Sequence, residues 1–385
     1  MKIALVVESL DAQRGGVEQW TSQFAVALVE AGHEVHAVAH HVPTDMRRRG
    51  IVAQPIPATP TRLARGEAIA ELLRRQSFDV IHDMGIGWYA DVLQPHGGSW
   101  IASFSSKLAW LPPWRRAVKE RLRGWLPRYR DFAAVAERQY RRGGPHVVAL
   151  SRMVAHDLAR FHQVEPERIS VVYNGVDTRR FTPDDRQRYR AAVRRQLAIV
   201  DGDVLLLLVA QNLRLKGLPA LLEATSRVRR SGLPVRLLVV GGRRLHGWAR
   251  RAAGRAAGAV RFVGSVRDPR PFYAAADLYV HPTWYDPCSL VVLEALACGL
   301  PVITSERNGV AELIREGRQG SIMQSPGNVD ELVTRLRRLI ELVDRSPLEH
   351  AARQLALEHS FERNVTQLLD VYEQVGCGSQ QRRAA

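Results

Sequence analysis

Two runs of short apolar strands alternating with amphipathic helices constrain the fold of this chain more than any other feature. The first run opens with the strand-like segment Lys2 to Glu8, continues with helical spacing from Val17 to Ala31, and returns to a strand at Glu34 to Ala39. A second run begins with Asp203 to Ala210. This alternation is typical of βαβ units, so it predicts parallel sheets with helices on their faces. A length of 385 residues suits two such domains.

The same alternation continues through both halves of the chain. Further strands of the first half are predicted at Phe78 to His82, Val92 to Gln94, His146 to Ser151 and Ile169 to Tyr173. Further elements of the second half are predicted at Leu218 to Ser231, Val235 to Gly241, Trp248 to Ala257, Val260 to Val263, Pro269 to Ala276, Leu278 to His281, 289–298, Val302 to Ser305 and Asp330 to Val343. With the boundary at the turn 174–177, we expect domains at 1–174 and 175–360, a last helix at 361–375 and a disordered tail at 376–385.

Charge and composition narrow the class of protein. The formal net charge of +16 indicates a polyanionic partner, which can be nucleic acid, anionic lipid or a phosphorylated glycan. Cys288, Cys298 and Cys377 show neither metal nor disulfide spacing, so we expect inert thiols in a reducing compartment. No apolar run approaches the roughly 20 residues that cross a bilayer, and Glu8 interrupts the first strand, which therefore does not suit a secretory signal. We expect a cytoplasmic protein, either soluble or peripheral on the inner face of the cell membrane.

The positive charge of the first half is concentrated in residues 105–130, which hold eight basic residues and one acid. Helical spacing after Pro113 puts apolar residues on one narrow face and basic residues opposite, a pattern typical of an interfacial helix that Pro127 kinks or ends. The predicted contacts with an anionic membrane are Trp110, Trp114, Arg116, Lys119, Arg123 and Trp125. The alternative is that the apolar stripe, which also includes Val118, Leu122 and Tyr129, packs on the sheet while the charges are solvated.

The segment 285–299 follows a predicted strand and combines a turn, a helix start and two carboxylates. Pro287 suits the turn, and Ser289 is a natural N-cap, so the first N–H groups of the helix would face the loop and could bind an anion. Asp286 lies ahead of this helix start and Glu294 lies further along the helix. A ligand with a phosphate at the helix start would meet one acid on each side, and sugar hydroxyls suit both acids. The alternative is an ordinary amphipathic helix with an exposed glutamate.

Several residues at the ends of other strands are candidates for the same ligand. Arg214 and Lys216 follow the first strand of the second domain, where two cations would stabilise a diphosphate leaving group unless they are simply solvated. Gly15 and Gly16 lie where the first strand passes to the first helix, a position that brings backbone amides against phosphate, although two glycines in a tight turn fit equally well. His96 follows a strand end and could hydrogen-bond a sugar hydroxyl.

His82 is the second histidine to consider, but a histidine at a strand end is more often structural. Ser151 is interpreted as a helix N-cap. The run Asp201-Gly202-Asp203 matches a short metal-binding motif, but it precedes the opening strand of a domain and is interpreted as a turn. No metal site is predicted.

Asp286, Glu294 and the seven residues between them resemble the acid-x7-Glu motif of the retaining glycosyltransferases of family 4, and the resemblance extends over nearly the whole chain. It implies an α/β GT-B fold, in which two Rossmann-like doubly wound domains face a central cleft. Members that glycosylate the lipopolysaccharide core have a similar aromatic and basic insertion that touches the inner membrane. Asp286 stands where the family usually has Glu, and Cys288-Ser289 stand in place of Phe-Gly. The shorter acid leaves the identity of the donor sugar open.

The resemblance also implies roles for individual residues. Asp286 would hold the hydroxyls of the donor sugar, and Glu294 would hold the ribose. The amides of Ser289, Leu290 and Val291 would hold the diphosphate, Val266 lies in the loop that would hold the base, and Gly15 and Gly16 would lie beside the donor. Lys216 matches the family's lysine, whereas Gln211 replaces its arginine, so Arg214 would supply the missing charge. No cofactor or metal is implied, and the co-substrate would be a nucleotide diphosphate sugar, with UDP-sugar favoured.

Two functions of different classes follow. The favoured one is a retaining hexosyltransferase that moves a sugar to a lipid-anchored glycan such as lipopolysaccharide core; a lipid carrier, a polysaccharide intermediate or a soluble acceptor are the alternatives. The departing phosphate would serve as the base, and His96 would contact the transferring group. The other is a basic nucleic-acid-binding module without catalysis. It is disfavoured because no nucleic-acid motif with interleaved aromatic residues occurs outside 105–130.

Overall fold

The computed structural model describes residues 1–242, 254 and 258–383, with side chains as far as residue 376. The chain divides into two compact units. One consists of Met1–Tyr173 together with Asn364–Ala385, and the other of Asn174–Arg363. The helix expected over 248–257 lies, apart from Gly254, outside the described residues.

A seven-stranded parallel sheet forms the centre of the first unit. Its strands are β1 (Lys2–Val6), β2 (Glu34–Ala39), β3 (Val52–Pro55), β4 (Val80–Asp83), β5 (Val92–Leu93), β6 (His146–Ala149) and β7 (Ile169–Val171). The strand order is β3-β2-β1-β4-β5-β6-β7. β1 is fully buried from Ile3 onward because helices cover both faces of the sheet, which explains its continuous apolar run. The direction of strand addition reverses between β1 and β4, so loops from these two strands diverge at the same edge of the sheet.

Helices connect the strands of the first unit. They are α1 (Gly16–Glu30), α2 (Thr44–Arg48), α3 (Arg62–Arg74), α4 (Trp100–Leu108), α5 (Pro113–Leu122), α6 (Pro127–Gln139) and α7 (Arg152–His162). In α1, Trp20, Phe24 and Leu28 recur every four residues and are buried against the sheet. Ser151 caps α7 as predicted, because its hydroxyl accepts a hydrogen bond from the Val154 N–H.

The second unit repeats the architecture with a six-stranded parallel sheet. Its strands are β8 (Val204–Val209), β9 (Val235–Val240), β10 (Val260–Gly264), β11 (Leu278–His281), β12 (Val302–Ser305) and β13 (Gly320–Met323), in the order β10-β9-β8-β11-β12-β13. The described helices are α8 (Asp185–Gln196), α9 (Leu218–Arg230), α10 (Arg270–Ala275), α11 (Leu290–Ala297), α12 (Val329–Ile340) and α13 (Ser346–Glu358). Leu206, Leu221 and Leu336 belong to the core between β8, α9 and α12. Asp203 pairs with Arg236 beside the first strand, in keeping with a turn.

The last helix, α14 (Phe361–Arg383), packs on the first unit. The indole N–H of Trp20 donates to the Asn364 side-chain oxygen at 3.2 Å, and Tyr372 shares a 2.6 Å hydrogen bond with His82. This helix extends to Arg383 and so includes most of the tail, residues 376–385, for which disorder was expected.

The basic stretch 105–130 contains the end of α4, all of α5 and the start of α6, rather than the single helix that the spacing predicted. α5 ends at Leu122, a short 3₁₀ turn follows at Arg123–Trp125, and Pro127 opens α6. Trp114 and Trp125 are 64% and 82% exposed, and Val118 and Leu122 are exposed with them. The alternative prediction, that this apolar stripe packs on the sheet, is therefore wrong for these four residues. Tyr129 is the exception, since its ring meets Phe104 edge-on.

Some basic residues of this stretch are exposed to solvent, and one packs against aromatic rings. Arg116 and Lys119 are exposed, and Arg116 pairs with Glu120 one turn away. Trp110 is half-buried. Arg123, expected on the outer basic face, instead lies over the rings of Trp100 and Phe104, because the chain turns at this point. Over the described residues, no helix is both long and apolar enough to cross a bilayer.

Candidate functional site

The candidate site of the second unit lies at the point where its sheet reverses direction. β8 and β11 are neighbours, and the loops after their carboxyl ends carry Lys216 and Asp286. Ligands of doubly wound sheets bind at this kind of position. The Lys216 ammonium contacts the Asp286 carboxylate at 2.5 Å and donates to the Tyr285 carbonyl at 3.4 Å. The two predicted residues are thus brought together.

Gly217 allows this close approach of the two loops. Its φ of 79° lies in the left-handed region, and a Cβ at this position would stand 2.0 Å from the Pro282 carbonyl oxygen. A side chain would therefore push the Lys216 loop away from the loop that carries Asp286. Gly217 therefore lets the adjacent Lys216 reach Asp286.

Asp286 is an ionised carboxylate held by two cationic or polar partners. His281, which ends β11 and is fully buried, lies 3.3 Å from the same carboxylate oxygen that contacts Lys216. Burial by itself would raise the pKa of Asp286, but Lys216 and His281 together hold it well below its usual range. Tyr279 hydrogen-bonds the Val209 carbonyl and lies 3.3 Å from His281, so a polar chain supports the pair from beneath.

The N-terminus of α11 follows immediately after Asp286. Ser289 occupies the N-cap position as predicted, but its hydroxyl makes no capping hydrogen bond. Its backbone N–H donates to Asn308, while its buried hydroxyl has no partner. Leu290 and Val291 are half-buried in the first helical turn, where N–H groups lack intrahelical acceptors. The helix start therefore offers several donors to an anion.

Glu294 lies one turn further along α11. Its carboxylate accepts a 2.8 Å hydrogen bond from Tyr273, and burial raises the pKa of Glu294 to about 7. Burial, Glu294 and Asp286 all raise the pKa of Tyr279. The charges of both carboxylates therefore act on the same tyrosine of β11.

The remaining predicted residues of this unit lie around these groups. Arg214 is exposed in the loop that carries Lys216, and Val266 is half-buried just after β10. Cys288 is a buried free thiol whose carbonyl accepts a 2.7 Å hydrogen bond from the Asn174 side chain. The described part of the chain has no group of three or more His, Cys, Asp or Glu side chains that could hold a metal ion.

The predicted residues of the first unit lie at the carboxyl edge of its own sheet. Gly15 precedes α1 and Gly16 opens it, so this helix start follows β1 directly. His96 is buried 4.9 Å from the Trp20 ring, its Nε2 has no partner, and burial lowers its pKa to about 4. His96 is therefore neutral near pH 7. His82 is structural, since its bond to Tyr372 lies in the core.

Sequence reasoning missed three residues that organise the site: His281, Tyr273 and Asn308. His281 had a usable signal, because a histidine ended the strand directly before Asp286. Tyr273 and Asn308 had none, since they reach Glu294 and Ser289 across elements that are distant in sequence.

These two doubly wound sheets, each with candidate ligand groups at its carboxyl edge, define the GT-B class of glycosyltransferase folds. Residues 14–180 match the family description "Glycosyltransferase Family 4", and residues 204–342 match "Glycosyl transferases group 1". The chain belongs to glycosyltransferase family 4, which confirms the family and the fold predicted from the sequence.

Two relatives illustrate the similarity in sequence. The D-inositol 3-phosphate glycosyltransferase of Rhodococcus erythropolis is 32% identical over 255 residues, 62% of this chain and 55% of that protein. The lipopolysaccharide glucosyltransferase WaaG of Escherichia coli K12 is 28% identical over 229 residues, 58% of this chain and 60% of that protein. The matches thus span little more than half of these relatives.

Solved structures match over a longer range. A crystal structure of WaaG aligns with a TM-score of 0.79 at 22% identity, over 96% of this chain and 99% of that chain. The structure of Anabaena HepE with UDP-glucose aligns with a TM-score of 0.74 at 18% identity, over 97% of this chain and 100% of that chain. At these identities the likeness describes the fold.

Proposed function

We propose that this protein is a retaining hexosyltransferase that moves a sugar from a nucleotide diphosphate sugar to a lipid-anchored glycan at the cytoplasmic membrane face. The observation that carries the proposal is the Lys216–Asp286 pair beside the open start of α11, with Glu294 one turn along the helix. A cation, several N–H donors and two carboxylates at one sheet edge suit a diphosphate flanked by hydroxyl-bearing rings.

Each group has a role in the proposed reaction. The diphosphate binds between Lys216 and the start of α11, where the Ser289 hydroxyl and the N–H groups of Leu290 and Val291 donate to it. Arg214 adds positive charge, and Glu294 accepts from the ribose. Asp286 accepts from hydroxyls of the donor sugar. These charges need no metal ion to neutralise the leaving group, which is the reason for proposing a metal-independent enzyme.

Transfer then exchanges one bond at the anomeric carbon for another on the same face. The bond from this carbon to the β-phosphate oxygen breaks, and a bond to the acceptor oxygen forms. The departing phosphate takes the proton of the acceptor hydroxyl. His96 is neutral near pH 7, so its imidazole can both donate a hydrogen bond to a sugar hydroxyl and accept one from it.

The identity of donor and acceptor is supported by relatives. HepE was solved with UDP-glucose, which supports a UDP-sugar as donor. WaaG is a lipopolysaccharide glucosyltransferase, which supports a cell-envelope glycan as acceptor. The exposed Trp114 and Trp125, with Arg116 and Lys119 beside them, would hold the protein at an anionic bilayer where such an acceptor lies.

Binding and transfer assays test this proposal. A saturating UDP-sugar, at 100 times its dissociation constant, should stabilise the protein by about 2.7 kcal/mol, and GDP- and ADP-sugars serve as comparisons. Lys216→Ala and Glu294→Ala should each lose about 100-fold or more in transfer rate while remaining folded. Glu341→Ala, an exposed glutamate of the same unit, is the matched control and should keep full activity. Full activity of both site variants would refute the assignment.

A further inference from the structure

The first unit contains a cavity of about 370 Å³ that the proposed donor site does not use. It lies beyond the carboxyl ends of β4 and β5, and helices α3, α4 and α6 form its other walls. The Gly97-Gly98 loop, directly after His96, contributes to its lining. Its position at the edge of the sheet is the one at which doubly wound domains bind ligands.

Four cations line this cavity: Arg62, Arg65, Lys107 and Arg128. No aspartate or glutamate occurs among the described residues of its lining. The guanidinium groups of Arg62 and Arg128 approach the same Phe132 ring, at 4.2 and 5.8 Å from its centre. Burial and the charge of Arg65 lower the pKa of Arg62, while Glu8 and Asp131 oppose this shift. The four cations outnumber these two acids, so an anion bound in the cavity would be stabilised.

Arg65 adds a buried hydrogen-bond donor without an acceptor. The residue is only 8% exposed, and one of its terminal nitrogens pairs with Glu8 at 3.1 Å. Its Nε is buried and has no partner. A buried guanidinium N–H without an acceptor is unfavourable, so a ligand oxygen at this position would be stabilising.

Aromatic rings form the other part of the lining. Trp100 stacks on Phe132 with ring centres 6.1 Å apart, and Phe104 meets Tyr129 edge-on at 4.8 Å. The indole N–H of Trp100 is buried without an acceptor. Flat apolar faces with a few polar donors suit a sugar ring, which presents C–H groups on its faces and hydroxyls at its rim.

We propose that this cavity binds the acceptor and selects one whose sugar carries a phosphate monoester. This inference rests on the proposed function and names the chemistry of its acceptor. The phosphate lies among Arg62, Arg65 and Arg128, and the sugar ring lies against Trp100 and Tyr129. The exposed helix α5 connects α4 to α6, which wall the cavity, so an acceptor on a lipid anchor can reach it from the bilayer surface.

Equilibrium binding to the whole protein tests the proposal without turnover. The probes are glucose 6-phosphate, glucose and inorganic phosphate, measured by calorimetric titration at low salt. Glucose 6-phosphate should bind at least tenfold more tightly than either fragment, because it satisfies the cations and the rings together. Arg62→Gln and Arg128→Gln should each weaken its binding about tenfold and leave the weak binding of glucose unchanged. Arg128 is exposed, so its variant should remain folded.

Arg75→Gln is the matched control, since it removes the same charge from an arginine just beyond α3 whose side chain is 74% exposed. It should bind glucose 6-phosphate as the wild type does. Equal binding of glucose and glucose 6-phosphate, or full binding in both cavity variants, would overturn the proposal. Displacement by phosphatidylglycerol vesicles but not by phosphatidylcholine vesicles would assign the cavity to a lipid headgroup instead and also overturn it. Failure of the donor assignment has a separate sign, because UDP-glucose would then not stabilise the wild type.

Discussion

Replacing Gly217 with alanine should separate the strain of a left-handed backbone from the close approach of two loops. At φ = 79°, any residue with a Cβ costs about 1 to 2 kcal/mol. The new Cβ would also stand 2.0 Å from the Pro282 carbonyl oxygen, so the loops must separate, which adds about 1 to 3 kcal/mol. Gly217→Ala should therefore lower the free energy of unfolding by about 2 to 5 kcal/mol.

Gly232→Ala provides the matched control. Gly232 has a φ of 91°, but a Cβ there would meet no atom within 4 Å, so this variant should show only the first cost of about 1 to 2 kcal/mol. Urea unfolding measures both values. UDP-glucose stabilisation should fall in Gly217→Ala and persist in Gly232→Ala, because only the former moves Lys216 away from Asp286. Equal destabilisation of the two variants would refute the reasoning.

Three further variants test other parts of the molecule. Burial raises the pKa of Glu294 to about 7, so between about pH 5 and pH 7 the folded wild type holds a proton that the unfolded chain has released. Over this range the unfolding free energy of the wild type should fall by about 2 to 3 kcal/mol relative to that of Glu294→Gln. Urea unfolding at several pH values measures this difference, and parallel curves for the two proteins would contradict the burial argument. Ser289→Ala removes a buried hydroxyl that has no hydrogen-bond partner, so the free energy of unfolding should be unchanged. The variant should bind UDP-glucose about fivefold more weakly in a titration. Unaltered affinity would show that the hydroxyl does not contact the donor. The double change Trp114→Glu and Trp125→Glu should reduce flotation with anionic vesicles about 100-fold. The control Val343→Glu, at another exposed apolar residue, should float as the wild type does. Equal flotation of the two variants would refute the proposed membrane contact.

The fold was largely predictable because its strands are short apolar runs and its turns are marked by glycine. β1, β8 and β11 lie where the pattern placed them, within a residue or two. The Lys216 and Asp286 loops could be expected to meet because both follow strands of one parallel sheet. Their partners could not be found in this way, since Tyr273 and Asn308 reach the site through packing between elements, which a one-dimensional pattern does not contain.

The stretch 105–130 shows the opposite limit. Trp114 and Trp125 are exposed, as an interfacial face requires, but a projection onto one continuous helix put Arg123 on the outer face. The break at Arg123–Trp125 turns this side chain toward Trp100 and Phe104. The cavity cations were also missed, because Arg62 and Arg65 lie on a helix whose residues are far from Arg128 in sequence.

Because α14 belongs to the first unit, it determines which residues are needed to express each unit separately. A polypeptide that stops at Tyr173 would lose Asn364 and Tyr372, leaving the Trp20 indole and the His82 ring without the hydrogen-bond partners they have in the core. Separate expression of this half therefore calls for residues 1–173 joined through a linker to 364–383. The second unit, Asn174–Arg363, is one uninterrupted segment and can be expressed as a single polypeptide.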